Sequence, residues 1–232
     1  MTIWSRACGI VCLIFLNVVA HQSDAADLPA GFVYLQDIDA SIVEDIRYAT
    51  GNNFVGKPLA GYDSPDCILV EHAARALSSL QRELAKKRLT LVVLDCYRPA
   101  RAVREMVEYV TAHDFSDETY FPNLTSHQLI PKGYIASRSG HSAGGTVDLT
   151  IARKTSDKLT LLEMGTKFDF FDLKSQSSSK LVSERAAQNR RFLVATMDRA
   201  GFRNYPREWW HFRFKNEPFR GRSFDFPIPR RQ

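Results

Sequence analysis

The sequence predicts an α+β fold in which helices pack on a mainly antiparallel central sheet. Three observations carry that expectation: stretches with helical apolar spacing, short runs with strand character, and no regular strand-helix-strand alternation of the kind that builds a doubly wound parallel sheet. With 44% apolar and 11% aromatic content in 232 residues, the chain can bury a core of its own as one domain.

The elements follow in chain order. Arg6 precedes an apolar run over residues 7–20, and Ser23, Ala25 and Ala26 supply small residues suited to cleavage, so residues 1–26 read as a signal peptide and 27–232 as the mature domain. The apolar run is shorter than the roughly 20 residues a membrane-spanning helix needs, and no second candidate follows it, so no membrane span is expected after cleavage. Neither Cys8 nor Cys12 follows the small residues of a lipoprotein signal. Of the cysteines, Cys67 and Cys96 remain in the mature chain. An oxidising compartment would permit a disulfide between them, although sequence alone does not bring them together. Two thiols cannot complete a four-ligand structural zinc site, so any metal here must use histidine and carboxylate.

From Ser64 a helix is expected, with serine as N-cap, Pro65 at the first helical position, and Ile68, Leu69, Ala73, Ala76, Leu77, Leu80 and Leu84 forming one buried face. Residues 89–95, LTLVVLD, form a nearly continuous apolar run that reads as a buried strand and delivers Asp95, Cys96, Tyr97 and Arg98 at its end. Pro99 opens a second helix carrying Val103, Met106, Val107 and Val110. Residues 145–151 alternate Thr146, Asp148 and Thr150 with Val147, Leu149 and Ile151, a strand with one apolar face and one that presents the aspartate. Ser175 to Ser179 is the most linker-like stretch, and a third helix is expected from about Lys180 to Ala200, stopped by Gly201. The last strand candidate, WHFRF at 210–214, sets His211 and Arg213 opposite Trp210, Phe212 and Phe214.

The formal net charge is +5, and its basic clusters, Lys86 to Arg88 and Arg230 with Arg231, are short and lack interleaved aromatics. No nucleic acid partner is expected from them; a mildly basic surface would instead draw in a small anionic substrate.

Chemistry concentrates in two segments. In the first, residues 139–148, a histidine stands at the mouth of a glycine-rich loop and an aspartate on the following strand; the glycines let the loop turn His141 back toward Asp148. The second, residues 206–211, adds Glu208 and His211. Three nitrogen or oxygen ligands with one position left for water make a catalytic zinc site. Glu208 and His211 are three apart, which on an ideal strand points them to opposite faces, so the backbone must turn around residues 207–209; Pro206 favours such a turn. His21, His72, His113 and His127 are assigned no chemistry.

These residues resemble those of the D-alanyl-D-alanine dipeptidase family, which includes the vancomycin-resistance dipeptidases and whose zinc motifs take the forms SxHxxGxAxD and ExWH. The resemblance extends over most of the mature chain. It takes in Arg47-Tyr48-Ala49-Thr50 followed by Asn52-Asn53-Phe54, the turn Asp95-Cys96-Tyr97-Arg98-Pro99, Met164-Gly165-Thr166 followed by Phe168-Asp169, and Gly201-Phe202 leading into Glu208-Trp209-Trp210-His211. Thr146 stands where the motif has alanine, and Ala143 where relatives commonly carry arginine. The resemblance implies the fold shared by D-Ala-D-Ala metallopeptidases and hedgehog-like domains, with one zinc ion per chain held by His141, Asp148 and His211. It makes Glu208 the catalytic base and Arg98 the group that steadies the transition state, with Asp169 and Ser139 as candidates for the substrate ammonium. The expected reaction is hydrolysis of D-Ala-D-Ala, or a close D,D-dipeptide, to free amino acids in the periplasm or cell envelope. One alternative is a D,D- or L,D-carboxypeptidase trimming peptidoglycan stem peptides. Another is a non-catalytic zinc-containing binding module, against which the presence of both Glu208 and Arg98 tells. Oligomeric state is left open.

Overall fold

A strand buried on both faces organises the molecule. The computed structural model describes Met1 and residues 28–231, so the expected signal peptide lies, Met1 apart, outside the described residues. Strand β1 (Phe32–Tyr34), helix α1 (Leu35–Ile38) and strand β2 (Val43–Glu44) lead to β3 (Ile68–Val70), α2 (Glu71–Ala85) and β4 (Leu89–Asp95). Then come α3 (Ala100–Thr111), α4 (Ser126–Leu129), β5 (Thr146–Lys154), β6 (Leu159–Leu161), α5 (Glu184–Arg199), β7 (Phe202–Asn204) and β8 (His211–Phe214). The main sheet runs β2-β4-β5-β8-β7, with β6 paired to the far end of β5; β2 and β4 are parallel and every other pair is antiparallel. Among the described residues no helix is long and apolar enough to cross a membrane. The fold is thus α+β on a mainly antiparallel sheet, as the sequence predicts.

Three local expectations need correction. The helix expected from Ser64 begins at Glu71: Ile68, Leu69 and Val70 are instead a fully buried strand paired antiparallel with Phe32 to Tyr34. A short continuous apolar run fits either state, and pairing with a distant segment decided it. The third helix starts at Glu184 rather than near Lys180, because the Ser183 side chain accepts from the Ala186 N–H and caps it. The serine-rich stretch is no linker, since Ser175 is fully buried, with its hydroxyl on the Phe170 carbonyl and its own carbonyl on Trp209 N–H.

Strand β5 shows a further difference. Its polar face is as buried as its apolar one: Thr146, Asp148 and Thr150 are each at most 2% exposed. Asp148 therefore faces a roofed cleft, not bulk water. On one side it pairs with Asp95 of β4 and on the other with His211 of β8. Residues directly opposite across antiparallel strands share a face, so this register sets three chemically active side chains in a row. A break in register between Val93 and Asp95 makes that row possible, because it puts Asp95 across from Asp148. Helix α2 packs on β4 and α5 on β7.

A disulfide joins Cys67, just before β3, to Cys96, just after β4. It closes a loop of sequence separation 29 and so ties the first pair of strands to the turn that carries Arg98. Replacing both cysteines with serine is expected to cost about 3–4 kcal/mol, chiefly by releasing the unfolded chain. Urea unfolding should show a lower midpoint with an equal or steeper slope, as the released unfolded chain exposes more surface; an unchanged unfolding free energy in water would mean that the bond adds no stability.

Candidate active site

Three donor atoms from three places in the chain converge. His141 comes from a 3-10 turn over Gly140–Ala143, capped by the Ser139 hydroxyl, which accepts from His141 N–H at 3.2 Å. Gly144 ends that turn at φ +82, where a side chain would be strained and a Cβ would come within 2.2 Å of Phe32. The chain then enters β5 and reaches Asp148. His211 opens β8, and Glu208 sits one turn before it: Glu208 N–H donates to the Tyr205 carbonyl and His211 N–H to the Glu208 carbonyl. The turn that the spacing of Glu208 and His211 requires is therefore present, with Asn204 Nδ2 donating to the Glu208 and His211 carbonyls and holding it.

His141 Nε2 lies 3.3 Å from Asp148 Oδ2, His211 Nδ1 lies 3.0 Å from Asp148 Oδ1, and the two ring nitrogens are 3.3 Å apart. Taken one from each residue, the donor atoms lie within 4.8 Å of one another, and ligands on a tetrahedral ion with bonds near 2.0–2.1 Å are separated by roughly 3.3 Å, so small side-chain adjustments bring the three onto one cation. Their chemistry agrees. His141 Nδ1 donates to the Cys96 carbonyl at 2.7 Å, leaving a lone pair on Nε2. That lone pair faces another imidazole nitrogen, and Asp148 Oδ1 is buried without a hydrogen-bond donor. Glu208 stands a step further out, with Oε2 3.7 Å from His211 Nδ1.

Arg98, following β4, is held by Asp95 through Nε at 2.9 Å and Nη2 at 2.8 Å, and the same Nη2 comes within 3.7 Å of Asp148. Its guanidinium also stacks 4.7 Å over the Tyr48 ring. Tyr48 in turn donates to Asp169 at 2.7 Å, and Asp169 adopts a left-handed φ of +57. Buried Arg190 braces the loop that carries Asp169, donating to the carbonyls of Met164, Lys174 and Gln176. Tyr48, Arg98, His141, Asp148, Asp169, Glu208 and His211, together with Ser139, line one cleft of about 230 Å³, below the roughly 300–1,000 Å³ typical of drug-sized ligands. Ser139 makes no hydrogen bond with Asp169. His72, His113 and His127 are exposed.

Four buried carboxylates, of Asp95, Asp148, Asp169 and Glu208, lie around the buried guanidinium of Arg98, and burial and mutual repulsion shift three of them, Asp148, Asp169 and Glu208. Burial opposes the charge on Asp148, yet His141 and His211 outweigh it and hold the carboxyl well below the usual range. Burial pushes Glu208 well up, and Asp148 and Asp169 push it further. Asp169 is pushed up to about 8 by burial, against the Tyr48 hydrogen bond. Burial lowers His211, against the pull of the Asp148 carboxylate. A cation held at the donor atoms would favour the charged forms of Glu208 and Asp169.

Tyr48 and Asp95 join the site through tertiary contacts, although both stand in segments that resemble the family, Arg47-Tyr48-Ala49-Thr50 and Asp95-Cys96-Tyr97-Arg98-Pro99. Asp95 at the end of an otherwise apolar buried strand is the signal available beforehand, since a buried carboxylate demands a partner.

The chain matches the family model for peptidase family M15, D-ala-D-ala dipeptidase, over residues 29–229. It is 36% identical over 200 residues to a D-alanyl-D-alanine dipeptidase of Enterococcus faecium, covering 85% of this chain and 98% of that one. To the dipeptidase of the same description from Streptomyces coelicolor it is 35% identical over 199 residues, with 85% and 98% covered. Among solved structures, a vancomycin resistance D,D-pentapeptidase in complex with Zn(II) matches at 17% identity and a TM-score of 0.39 over 65% of this chain and 74% of that one, too slight a likeness to build on.

Proposed function

This chain belongs to the D-Ala-D-Ala dipeptidase family of peptidases, and on that premise we propose that it is a zinc-dependent enzyme hydrolysing D-Ala-D-Ala or a close D,D-dipeptide. The observation that carries the reading is the convergence of His141, Asp148 and His211 at ligand spacing beside Glu208. Two imidazoles and a carboxylate suit zinc, and their three donors leave a fourth position vacant. Zinc held there would supply an acidified water and polarise the scissile carbonyl.

The chain's own groups then divide the work. Glu208 takes the proton of the attacking water and passes it to the leaving amine. Its burial shields the transfer from competing solvent. Arg98, locked by Asp95, offers a planar fork to the carbonyl oxygen as charge builds there, a role lysine could not fill as well. Asp169, steadied by Tyr48, meets the substrate ammonium. Export to the periplasm or cell envelope is part of the same reading, supported by the Cys67–Cys96 disulfide, a bond that persists in oxidising compartments. Such a location fits salvage of wall-derived dipeptide better than removal of a precursor made in the cytoplasm.

The test is hydrolysis by zinc-loaded protein of free D-Ala-D-Ala, its N-acetyl derivative and a stem pentapeptide. Free dipeptide should be preferred; equal or better cleavage of the pentapeptide would replace the dipeptidase with a carboxypeptidase. Asp169→Asn should lower kcat/KM for the free dipeptide on the order of 10- to 100-fold, mainly through KM, while the N-acetyl substrate is little changed. An equal loss on both substrates would remove Asp169 from ammonium binding.

A further inference from the structure

The cleft has a cationic end that the mechanism above does not use. His211 and Arg213 are two apart on β8, so they project from one face about 7 Å apart along the strand. Arg213 pairs across the sheet with Thr146, lines the same cleft as the donor triad, and leaves 46% of its side chain exposed. Its guanidinium lies over Gly140: a Cβ at that glycine would fall 2.3 Å from Nη2 of Arg213 and 2.9 Å from the buried, unpartnered Thr146 hydroxyl. Gly140 has no left-handed backbone to demand glycine. What glycine provides there is room for the arginine.

The arginine's fork keeps its donors free. Among the described residues the Arg213 side chain makes no hydrogen bond and one long ion pair, with Glu217, whose Oε2 is 4.0 Å from Nε and whose Oε1 already accepts from Gly145 N–H at 3.0 Å. A half-exposed guanidinium with free donors at the edge of a cleft is a site for a carboxylate. The sheet order gives it an orientation. Tyr48, which donates to Asp169, follows β2, and Arg98, which stacks on Tyr48, follows β4, whereas Arg213 lies on β8, and β5 with Asp148 runs between them. A zwitterionic dipeptide laid across β5 would thus meet a carboxylate at one end and a guanidinium at the other.

We propose that Arg213 determines specificity by binding the free α-carboxylate of the substrate's C-terminal residue, in the space that Gly140 leaves open. The inference rests on the dipeptidase reading and deepens it. One residue spans at most about 3.6 Å, so the carboxylate beyond the scissile bond must find its partner within one residue and one hydrogen bond of the reacting carbon. That sum is close to the one-pleat offset between His211 and Arg213.

The experiment compares kcat/KM for D-Ala-D-Ala and for its C-terminal amide in the zinc-loaded wild type, Arg213→Gln and Gly140→Ala. Wild type should favour the free acid on the order of 10- to 100-fold. Arg213→Gln should collapse that preference through KM, leaving the slow rate on the amide little changed. Gly140→Ala, which displaces the guanidinium without deleting it, should do the same, and Arg213→Lys should recover part of the preference. If Arg213→Gln retains the wild-type acid-to-amide ratio, or loses both substrates in equal measure, the assignment of Arg213 falls while the dipeptidase reading stands. Failure of the wild type to hydrolyse either compound would take down both.

Discussion

Glu208→Gln is expected to lower kcat by about 10²- to 10⁴-fold while the protein continues to bind zinc. The substitution is chosen to remove one property only. Glu208 is 7% exposed and its turn is held by main-chain bonds to Tyr205 and His211 and by Asn204, none of which uses the carboxylate. Glutamine has the same shape and can still hydrogen-bond a water, but it cannot accept and return a proton. It also relieves the repulsion from Asp148 and Asp169 that raises the Glu208 pKa, so the folded protein should be no less stable. Metal content by elemental analysis, thermal melting and dipeptide turnover measured on one preparation separate the possibilities. Retained zinc and an unchanged melting temperature with turnover lost is the expected result. Turnover near the wild-type rate would transfer the proton to another group, and loss of zinc would make Glu208 a ligand.

The elements that carry these side chains differ in how plainly the sequence announces them. Residues 89–95 are apolar for long enough that a buried strand is the simplest reading, and α3 shows its period through Val103, Met106, Val107 and Val110. Residues 68–70 were ambiguous for a physical reason: Ile68 and Leu69 satisfy the helical spacing of the segment behind them, and only Phe32 to Tyr34, far away in sequence, shows that they are a strand. Strands β1, β2 and β7 have three residues or fewer, too short for any period. At the site, the glycine-rich approach to His141 and the Pro206 turn before Glu208 were local signals and could be read. Asp95 and Tyr48 owe their positions to tertiary register. A break in pairing turns Asp95 toward Asp148, and a hydrogen bond spanning 121 residues joins Tyr48 to Asp169. The alternation on β5 correctly divided its faces but could not show that the polar face is roofed by the rest of the chain. That roof makes the carboxylates expensive to bury and gives the cleft its need for a cation.

Asp148→Asn is expected to abolish both zinc binding and turnover, because Asp148 contacts both imidazoles and Arg98. Losing a partner outside the ligand shell commonly costs 10- to 100-fold in metal affinity, so losing one of three protein ligands should cost more. The amide is isosteric and keeps the cleft filled, but its carbonyl is a poorer donor. It also leaves Arg98 with one carboxylate fewer. Thermal melting gives a reading independent of activity. Zinc at a hundred times its Kd should stabilise the wild type by about 2.7 kcal/mol, or roughly 5–10 °C for a domain of this size, and a chelator should reverse the gain. Asp148→Asn should melt at one temperature with zinc or with chelator. Were it to keep the wild-type response to zinc, the ion would be bound elsewhere, and the pairing of Asp148 with His211 across β5 and β8 would serve the sheet alone.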